Sequence, residues 1–291
     1  MKTETRRKLN FAPLLLFGAA LLWSFNGLFT KSVDWDGMSL ATLRGLIAFP
    51  LMSLLLFLRN RKLSDPPRLF TLWNLLGGLC YVLQALAGLS SYKFTTAANA
   101  VVLGNTSSFF VILLNLLILR KLPTKKETLV CLILVFGVAL AFCGNLGPGG
   151  ALGNILALVC SFFYAGVFFC NKMDGADSLS SLVLGNSLFL LLIPYMVTRP
   201  AFAATTGSEW AFLLVMATLS GFTAWFLFSQ GIRGTSALGA NFITISEPVM
   251  GPVWAYLLLN ERISPLSLVG CALVLVTILV YNVSKTKSGE E

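Results

Sequence analysis

Long apolar segments, separated by short polar ones, are the most regular feature of the sequence. They lie near residues 11–30, 37–58, 69–90, 95–119, 127–144, 150–170, 178–198, 208–230, 236–259 and 264–283. A helix needs about twenty mostly apolar residues to cross a bilayer. Turn-forming residues such as Asp65-Pro66-Pro67 separate neighbouring segments. The pattern therefore predicts an all-α integral membrane protein with ten transmembrane helices.

The composition agrees with a membrane location. Hydrophobic residues make up 56% of the 291 positions and charged residues only 11%, whereas soluble domains carry about a quarter charged residues. A water-soluble fold could not bury so much apolar surface in one core, but a bilayer surrounds it with hydrocarbon. The first segment follows a basic start and has no small-residue cleavage site. We therefore predict that it is retained as a membrane helix.

Lysine and arginine are unevenly distributed between the two sides of the predicted bundle. With alternating spans, 16 of the 21 fall on the side of the amino terminus, four fall on the other side, and Arg44 lies inside the second span. Cytoplasmic loops retain positive residues, so we predict a multi-pass protein of the plasma (inner) membrane with both termini in the cytoplasm. This retention also explains the net charge of +9 without a nucleic-acid partner.

The two halves of the chain are similar at a constant offset of 141 positions. The offset aligns 23–31 with 164–172, and in both stretches an aromatic residue comes first and a lysine last. It also aligns 105–107 with 246–248, so we predict two five-helix repeats, 1–145 and 146–291. Because five is odd, the second repeat enters the membrane from the opposite side. Such inverted repeats are typical of secondary transporters, which bind substrate near the middle of the membrane.

Several motifs of this chain resemble the EamA family of the drug/metabolite transporter superfamily. They are Leu21-Leu22-Trp23-Ser24 with Lys31, Arg44-Gly45-Leu46-Ile47-Ala48, Glu247-Pro248-Val249 with 257–263, and Leu268-Val269-Gly270-Cys271-Ala272-Leu273. The resemblance covers about residues 11–283. It implies a transporter of amino acids, other metabolites or cationic drugs. The first half departs from the family pattern at Ser107 and at Arg120-Lys121, so no role is carried over to those positions.

We expect a secondary active or facilitative transporter that exports a small organic metabolite, such as an amino acid or a related solute, across the plasma membrane. Efflux of cationic drugs and import of a metabolite are alternatives on the same fold. A lipid-handling protein or a membrane enzyme would need a cluster of titratable residues at one membrane surface, which the sequence lacks. The expected partners are a small-molecule substrate, the lipid bilayer and protons as a coupling ion, and the oligomeric state is left open.

Cofactor and metal chemistry have little support in the sequence. It contains no histidine, and its six cysteines lie in apolar segments without CxxC spacing. The phosphate-binding pattern GxxxxGK(S/T) is missing as well. We therefore expect no metal, no cofactor and no enzymatic activity.

Glu247 is the acidic residue that the predicted spans place deepest in the membrane. A carboxylate at the bilayer centre is costly unless it is paired, hydrated or protonated. Glu247 is therefore a candidate proton carrier or counter-charge for a cationic substrate. The structural alternative is a carboxyl group that braces a kink at Pro248 and Pro252.

Arg44 is a charged residue inside the second predicted span. Its guanidinium group suits a substrate carboxylate, because it offers donors in a planar fork. Alternatively, the side chain extends outward to Asp34, Asp36 or Glu261. The sequence favours this second, structural role.

Polar, small and aromatic residues recur at helical spacing in several predicted spans, which indicates the walls of a polar substrate cavity. The candidates are Trp23, Asn26, Arg44, Asn74, Tyr81, Gln84, Tyr164, Thr218, Trp225 and Thr244. Packing is the alternative, since small and polar residues also hold membrane helices together.

Overall fold

A computed structural model describes residues 11–61, 68–118, 120, 122–144, 150–231, 243–244, 246–260 and 263–288. Within these ranges the chain is helical and forms no β-strand. Seven helical segments are long and apolar enough to cross a membrane: Ala12–Lys31, Gly37–Asn60, Leu72–Phe94, Ala97–Leu117, Gly150–Asn171, Ser178–Val197 and Gly207–Gly231. Further helices at Lys125–Cys143, Ser246–Leu259 and Pro265–Ser288 overlap the remaining predicted segments in sequence.

Seven helical pieces lie in the described residues of the first half. They are α1 (Ala12–Ser24), α2 (Asn26–Lys31), α3 (Gly37–Asn60), α4 (Leu72–Phe94), α5 (Ala97–Gly104), α6 (Ser107–Leu117) and α7 (Lys125–Cys143). Helices α1 and α2 form one span that is interrupted at Phe25, and α5 and α6 form another that is interrupted at Asn105 and Thr106.

The second half is more fragmented. It contains α8 (Gly150–Asn171), α9 (Ser178–Leu188), a 3₁₀ turn (Phe189–Leu192), α10 (Ile193–Val197), α11 (Pro200–Ala204) and α12 (Gly207–Met216). A π-helical turn (Ala217–Thr223) joins α12 to α13 (Ala224–Gly231), and α14 (Ser246–Leu259) and α15 (Pro265–Ser288) follow. The 3₁₀ turn precedes Pro194, which has no backbone N–H to donate.

Side-chain caps begin several of these helices. Asp36 accepts a hydrogen bond from the backbone N–H of Ser39 at the start of α3, and Asp177 accepts one from Ser180 at the start of α9. Thr206 and Glu209 form a reciprocal capping box at the start of α12. Each cap satisfies a backbone N–H that the helix itself leaves without a partner. The caps therefore fix where the chain enters the helical bundle.

Large apolar side chains cover the outside of the bundle. Exposed examples come from many helices and include Leu14, Phe57, Leu75, Phe136, Leu191, Val215 and Leu268. A soluble protein rarely exposes apolar surface so continuously, whereas hydrocarbon chains cover it in a bilayer. The distribution defines a multi-pass membrane protein.

Helix α4 lies near the centre of the bundle, packed along α8 and against α9. Its closest approach to α9 is at Gly78, where an added Cβ would lie 2.8 Å from the backbone nitrogen of Gly185. Against α8, an added Cβ at Gly88 would lie 2.9 Å from Sγ of Cys160. Glycine lets these backbones approach closely, as small residues do between membrane helices.

Polar contacts tie helices together at the two ends of the bundle. At the Trp35 end, the indole N–H of Trp35 donates to Oγ1 of Thr205 at 2.8 Å, and Nζ of Lys31 donates to the carbonyl of Thr95 at 2.8 Å. At the Asp177 end, Arg59 donates to both carboxylate oxygens of Asp177. Successive spans therefore run in alternating directions between the Trp35 end and the Asp177 end.

Candidate functional site

A cavity lies inside the bundle, between helices of both halves of the chain. Its volume is about 80 Å³, which is room for several water molecules. Residues of α1, α2, α3, α4, α5, α8, α13 and α14 line it, together with Asn105 and Phe189. The predicted candidates among them are Trp23, Asn26, Arg44, Tyr81, Gln84, Trp225 and Glu247.

Arg44 extends from α3 across the bundle to the π-helical turn. Its Nη2 donates to the backbone carbonyl of Ser220 at 2.9 Å, and its Nη1 donates weakly to Oδ1 of Asn26 at 3.4 Å. Among the described residues, Arg44 forms no ion pair, and it makes no hydrogen bond to Asp34 or Asp36. Arg44 therefore keeps its positive charge at the cavity wall, with neutral partners.

The expected outward extension of Arg44 is not what the structure shows. Asp36 instead caps α3 and accepts a hydrogen bond from Oη of Tyr195 at 3.3 Å. Glu261 lies outside the described residues. The inward direction of Arg44 has a local cause, because Gly221 lacks a side chain: an added Cβ there would lie 3.2 Å from Cβ of Arg44. Helix α3 can therefore pack directly on the π-helical turn.

Glu247 brings a carboxyl group to the cavity from the first turn of α14. No described residue donates a hydrogen bond to it or forms an ion pair with it. The helix that carries it packs on α1, where the indole N–H of Trp254 donates to Oγ of Ser24 at 3.0 Å. The ring of Trp254 also stacks on Phe25 at a centroid distance of 5.0 Å. These contacts fix the position of the helix while the carboxyl group faces the cavity.

Aromatic rings form the apolar wall of the cavity. The ring centroid of Trp225 lies 5.0 Å from that of Trp23 and 5.3 Å from that of Tyr81, both in edge-to-face arrangements. All three side chains are buried, with 5–7% of their surface exposed. Edge-to-face contacts between its rings add stability to this wall beyond burial. It can hold the apolar part of an organic molecule or a cation on a ring face.

The polar residues of α4 divide between the cavity and the Asp177 end. Gln84 lines the cavity, as does Cys160 of α8. Asn74, by contrast, is buried outside the cavity: its Oδ1 accepts from the backbone N–H of Asp177 at 2.7 Å, and its Nδ2 donates to the carbonyl of Arg68 at 3.0 Å. Asn74 therefore joins segments at the Asp177 end.

Three further candidates lie outside the cavity lining. Tyr164 is set behind Trp225, at a centroid distance of 6.4 Å. The hydroxyl of Thr218 donates to the carbonyl of Leu214, one helical turn back along its own helix, at 2.8 Å. Thr244 is among the described residues and does not line the cavity.

The cavity also contains polar residues that the sequence analysis did not select. Tyr92 and Asn105 are the most prominent. Tyr92 could have been found, because it continues the helical spacing of Tyr81, Gln84 and Gly88 by one more turn. Asn105 has no comparable signal, since it lies at the interruption between α5 and α6, where its Nδ2 donates to the carbonyl of Val101 at 2.8 Å.

Proteins hold metal ions with clusters of ligating side chains. In the described part of the chain, no three side chains of histidine, cysteine, aspartate or glutamate come close enough to hold an ion. The fold and the cavity together define a multi-pass membrane protein with a polar and aromatic internal site.

The chain belongs to the EamA-like transporter family, whose model matches residues 10–143 and again residues 151–283. The predicted resemblance is thereby confirmed. Membership makes the protein a membrane transporter, and families of this kind are not usually enzymes.

Similar proteins carry the same general description. The uncharacterized transporter YcbK of Bacillus subtilis (strain 168) is 22% identical over 262 residues, which cover 85% of this chain and 84% of YcbK. An uncharacterized transporter of Clostridium kluyveri is 25% identical over 228 residues, 73% of each chain. One crystal structure aligns with 96% of this chain and 99% of its own, at 18% identity and a TM-score of 0.58. At that identity the likeness concerns the fold alone.

Proposed function

We propose that this chain is a ten-helix secondary active or facilitative transporter that exports a small organic metabolite, such as an amino acid or a related solute. The observation that carries the proposal is the internal cavity, which is lined by residues of both halves and contains Arg44 and Glu247. Secondary transporters bind substrate between their repeats. Helices α7, α14 and α15 are our candidates for the three spans beyond the seven long apolar segments of the described residues.

The contacts between helices support two inverted repeats, 1–145 and 146–291. The repeat makes α8 the counterpart of α1, and the span that ends with α13 the counterpart of α4. Exchanging counterparts converts the contact of α4 with α8 into that of α13 with α1. In the same way α9 is the counterpart of α3, and the π-helical turn belongs to the counterpart of α4. The exchange therefore converts the contact of α3 with this turn into that of α9 with α4. Contacts of α7 with α15 and of α3 with α9 join counterparts directly. Related contacts in pairs are the pattern that a two-fold relationship produces.

The distribution of basic residues supports a plasma membrane orientation with both termini in the cytoplasm. The Asp177 end carries Arg59, Arg61, Arg68, Lys125, Lys126 and Lys172, whereas the Trp35 end carries Lys31, Lys93 and Arg199. Positive residues stay on the cytoplasmic side, so the Asp177 end is the cytoplasmic end. Export is proposed on the family resemblance, and Glu247 is the candidate for coupling to protons or for a counter-charge.

Export is tested by untargeted mass spectrometry of medium and cytoplasm. Cells produce the wild type, Glu247→Gln, Glu209→Gln or an empty vector, with matched membrane levels. Glu209→Gln is the control, because glutamine also serves in a capping box. We expect one compound to accumulate in the medium with the wild type and the control, but not with Glu247→Gln. Identical metabolite profiles of wild type and empty vector would contradict export.

Efflux of cationic drugs is a second candidate, because Glu247 shares the cavity with the rings of Trp23 and Trp225. A carboxylate beside aromatic faces is suited to an organic cation. If this is the function, cells with the wild type survive higher concentrations of lipophilic cations than cells with Glu247→Gln. Equal sensitivity of these cells argues against it.

A further inference from the structure

We propose that two arginine–aspartate pairs close the two ends of this transporter in turn: Arg59 with Asp177 at the Asp177 end, and Arg199 with Asp36 at the Trp35 end. The structure contains the first pair formed and the second pair separated. The inference rests on the proposed transport function and assigns side chains that stabilise each of its conformations.

The two aspartates occupy equivalent positions in the two halves of the chain. The offset of 141 positions takes Asp36 to Asp177 and Ser39 to Ser180. The same offset separates residues 10 and 151, where the two matches of the family model begin. Each aspartate caps its helix, α3 or α9, and accepts hydrogen bonds from the backbone N–H and the hydroxyl of the serine. Opposite ends of the bundle therefore carry the same anionic cap.

The two arginines correspond with a shift of one residue. Arg59 lies in the last turn of α3, Arg199 lies two residues past the end of α10, and the offset takes Arg59 to residue 200. The span that contains α9 and α10 includes four residues of 3₁₀ helix, Phe189–Leu192. Each of them turns the chain about 20° more than an α-helical residue does. The sum of about 80° is close to the 100° of one α-helical residue, so the shift places Arg199 much as Arg59 is placed.

At the Asp177 end the pair is formed and the helices are in close contact. Both terminal nitrogens of Arg59 donate to the carboxylate of Asp177 at 2.8 Å. Oδ1 of Asn74 accepts from the backbone N–H of the same aspartate at 2.7 Å. Helix α4 meets α9 next to this network, at Gly78. The pair therefore joins one half of the chain to the other where the bundle is closed.

At the Trp35 end the corresponding pair is separated. Arg199 and Asp36 are both described, and they form no ion pair with each other. The guanidinium group of Arg199 lies over the ring of Tyr195, 4.0 Å from its centroid, and the hydroxyl of that tyrosine donates to Oδ1 of Asp36 at 3.3 Å. Helix α10, which carries the tyrosine, packs on α3. A shift of one helix along the other can therefore bring the two charges together.

The cavity lies toward the end where the pair is separated. On α3 its lining residues lie between Ala41 and Gly45, near the Trp35 end, and the described residues 46–60 contribute none. On α4 they lie between Tyr81 and Tyr92, from the middle of the helix toward the same end. In the orientation proposed above, this is the arrangement of an outward-facing transporter.

Alternating access exchanges the states of the two pairs. Inverted repeats move against each other around one central site, so the inward-facing conformation repeats the same contacts with the halves exchanged. Arg199 then pairs with Asp36, while Arg59 releases Asp177. Each aspartate keeps its serine contacts in both conformations, so neither helix loses its cap. Partly exposed ion pairs contribute little free energy, which suits contacts that form and break in every cycle.

The test measures from which side of the membrane Cys160 can be reached. Right-side-out and inside-out vesicles that contain the protein are treated with a charged, membrane-impermeant thiosulfonate. Mass spectrometry of the Cys160 peptide gives the rate of labelling from each side. Because Cys160 lines the cavity, the rate reports how often the cavity is open to that side. The measurement requires no known substrate.

Loss of the formed pair and loss of the separated pair should change this rate in opposite directions. Arg59→Gln weakens the outward-facing conformation, so labelling from the cytoplasmic side should become about threefold to fivefold faster. Arg199→Gln weakens the inward-facing conformation, so the same labelling should become about threefold to fivefold slower. Asp177→Asn and Asp36→Asn should reproduce these two effects, because asparagine also caps a helix.

Two controls and one sign distinguish ion pairing from general damage. Asp174→Asn and Glu209→Gln each remove a carboxylate at one end of the bundle and should leave both rates at wild-type values. Loss of the contact between Arg199 and Tyr195 would by itself weaken the described conformation and speed cytoplasmic labelling, which is the opposite of the expected result. Arg199 is exposed, so Arg199→Gln decides the matter if Arg59→Gln does not fold.

The outcomes separate this inference from the transport function. A cytoplasmic rate that is unchanged or faster in Arg199→Gln overturns the alternating pairs, and export by the wild type then still supports transport. Absence of labelling from the outer side in the wild type overturns the outward-facing assignment and with it the inference. If Cys160 reacts from one side only and the export measurements find no transported compound, the proposed function fails as well.

Discussion

Both terminal nitrogens of Arg59 donate to the carboxylate of Asp177, each at 2.8 Å, with one oxygen for each nitrogen. The contact joins the end of α3, in the first half of the chain, to the residue that caps α9 in the second half. Arg59 thereby stabilises the negatively charged form of Asp177, at the cytoplasmic end of the proposed transporter. Bidentate pairs of this kind are stronger than single hydrogen bonds and restrict geometry.

This pair predicts a pH-dependent stability. Burial raises the pKa of Asp177, but hydrogen bonds from Arg59 and Ser180 outweigh it, so the pKa lies below its ordinary value of 3.8. Asp177→Asn keeps the helix cap and removes the charge, which should cost about 1–2 kcal/mol at neutral pH. A lowered pKa stabilises the folded state fully above the ordinary pKa of 3.8, so the deficit of the variant should shrink as the pH falls below 3.8 and disappear as it passes the lowered pKa of the folded protein.

Melting temperatures in detergent, measured from pH 7 downward, check this prediction. The control is Asp174→Asn, which alters an exposed aspartate three residues away, and its melting temperature should equal that of the wild type. A deficit of Asp177→Asn that stays the same from pH 7 to low pH would show that the ion pair does not stabilise the fold.

The contact between α4 and α9 predicts that Gly78→Ala is destabilising. The added Cβ would lie 2.8 Å from the backbone nitrogen of Gly185 and 2.9 Å from the carbonyl of Ser181. Backbone atoms cannot move aside as a flexible side chain can, so we expect a loss of about 1–3 kcal/mol. Gly207→Ala is the matched control, because nothing lies within 4 Å of its added Cβ. Similar melting temperatures for the two variants would refute the prediction.

Transport should depend on Trp225 and not on Thr218. Trp225 lines the cavity, whereas the hydroxyl of Thr218 bonds to its own helix. We expect Trp225→Ala to lower the uptake or export rate by about tenfold, through the loss of aromatic contact with the substrate, and Thr218→Val to keep the wild-type rate. Flux of the labelled substrate, normalised to protein in the membrane, measures both. A slow Thr218→Val with an unaffected Trp225→Ala would reverse the assignment.

A buried network predicts a structural role for Asn154. Its Oδ1 accepts from Oγ1 of Thr95 at 2.7 Å and from Nδ2 of Asn99 at 3.2 Å. Asn154→Ala leaves both donors with one acceptor fewer in the membrane, so it should cost about 1–3 kcal/mol. Asn105→Ala should cost less, because that amide bonds to the preceding turn of its own segment. Thermal unfolding in detergent ranks the two, and an equal loss would argue against the network.

The sequence predicted much of the cavity wall because the spans are long and their polar residues are few. In a helix that is otherwise apolar, exposing an arginine, a glutamate or a glutamine to lipid costs free energy, so these residues face a polar interior. Arg44, Glu247 and Gln84 are found there. The partner of Arg44 was beyond prediction, because a backbone carbonyl such as that of Ser220 is present at every position and gives no sequence signal.

Axial position explains the different location of Asn74. Helical spacing places it on the same face of α4 as Tyr81, but seven residues correspond to about 10 Å along the axis. One face of a spanning helix therefore passes through distinct surroundings at different depths. Periodicity identifies the face and carries no information about depth.

Helix regularity explains the different location of Thr218. Its separation of seven residues from Trp225 places both on one face of a regular α-helix. The chain between them includes the π-helical turn, which is wider than an α-helical one. The two side chains consequently diverge. The residue types in 217–223 do not predict a π-helical turn. The α-helical spacing therefore placed Thr218 wrongly, because the segment is not a regular α-helix.

The π-helical turn also divides one span of the second half into two parts whose relative rotation depends on how the turn is wound. It separates Trp210, packed on Trp35 at one end of the bundle, from Trp225 in the cavity wall. Rewinding one surplus residue into α-helix would turn these indoles relative to each other by about 100° and lengthen the segment by about 1.5 Å. Arg44, in the first half of the chain, donates a hydrogen bond to the Ser220 carbonyl within this turn. This contact stabilises the π-helical conformation of a span in the second half.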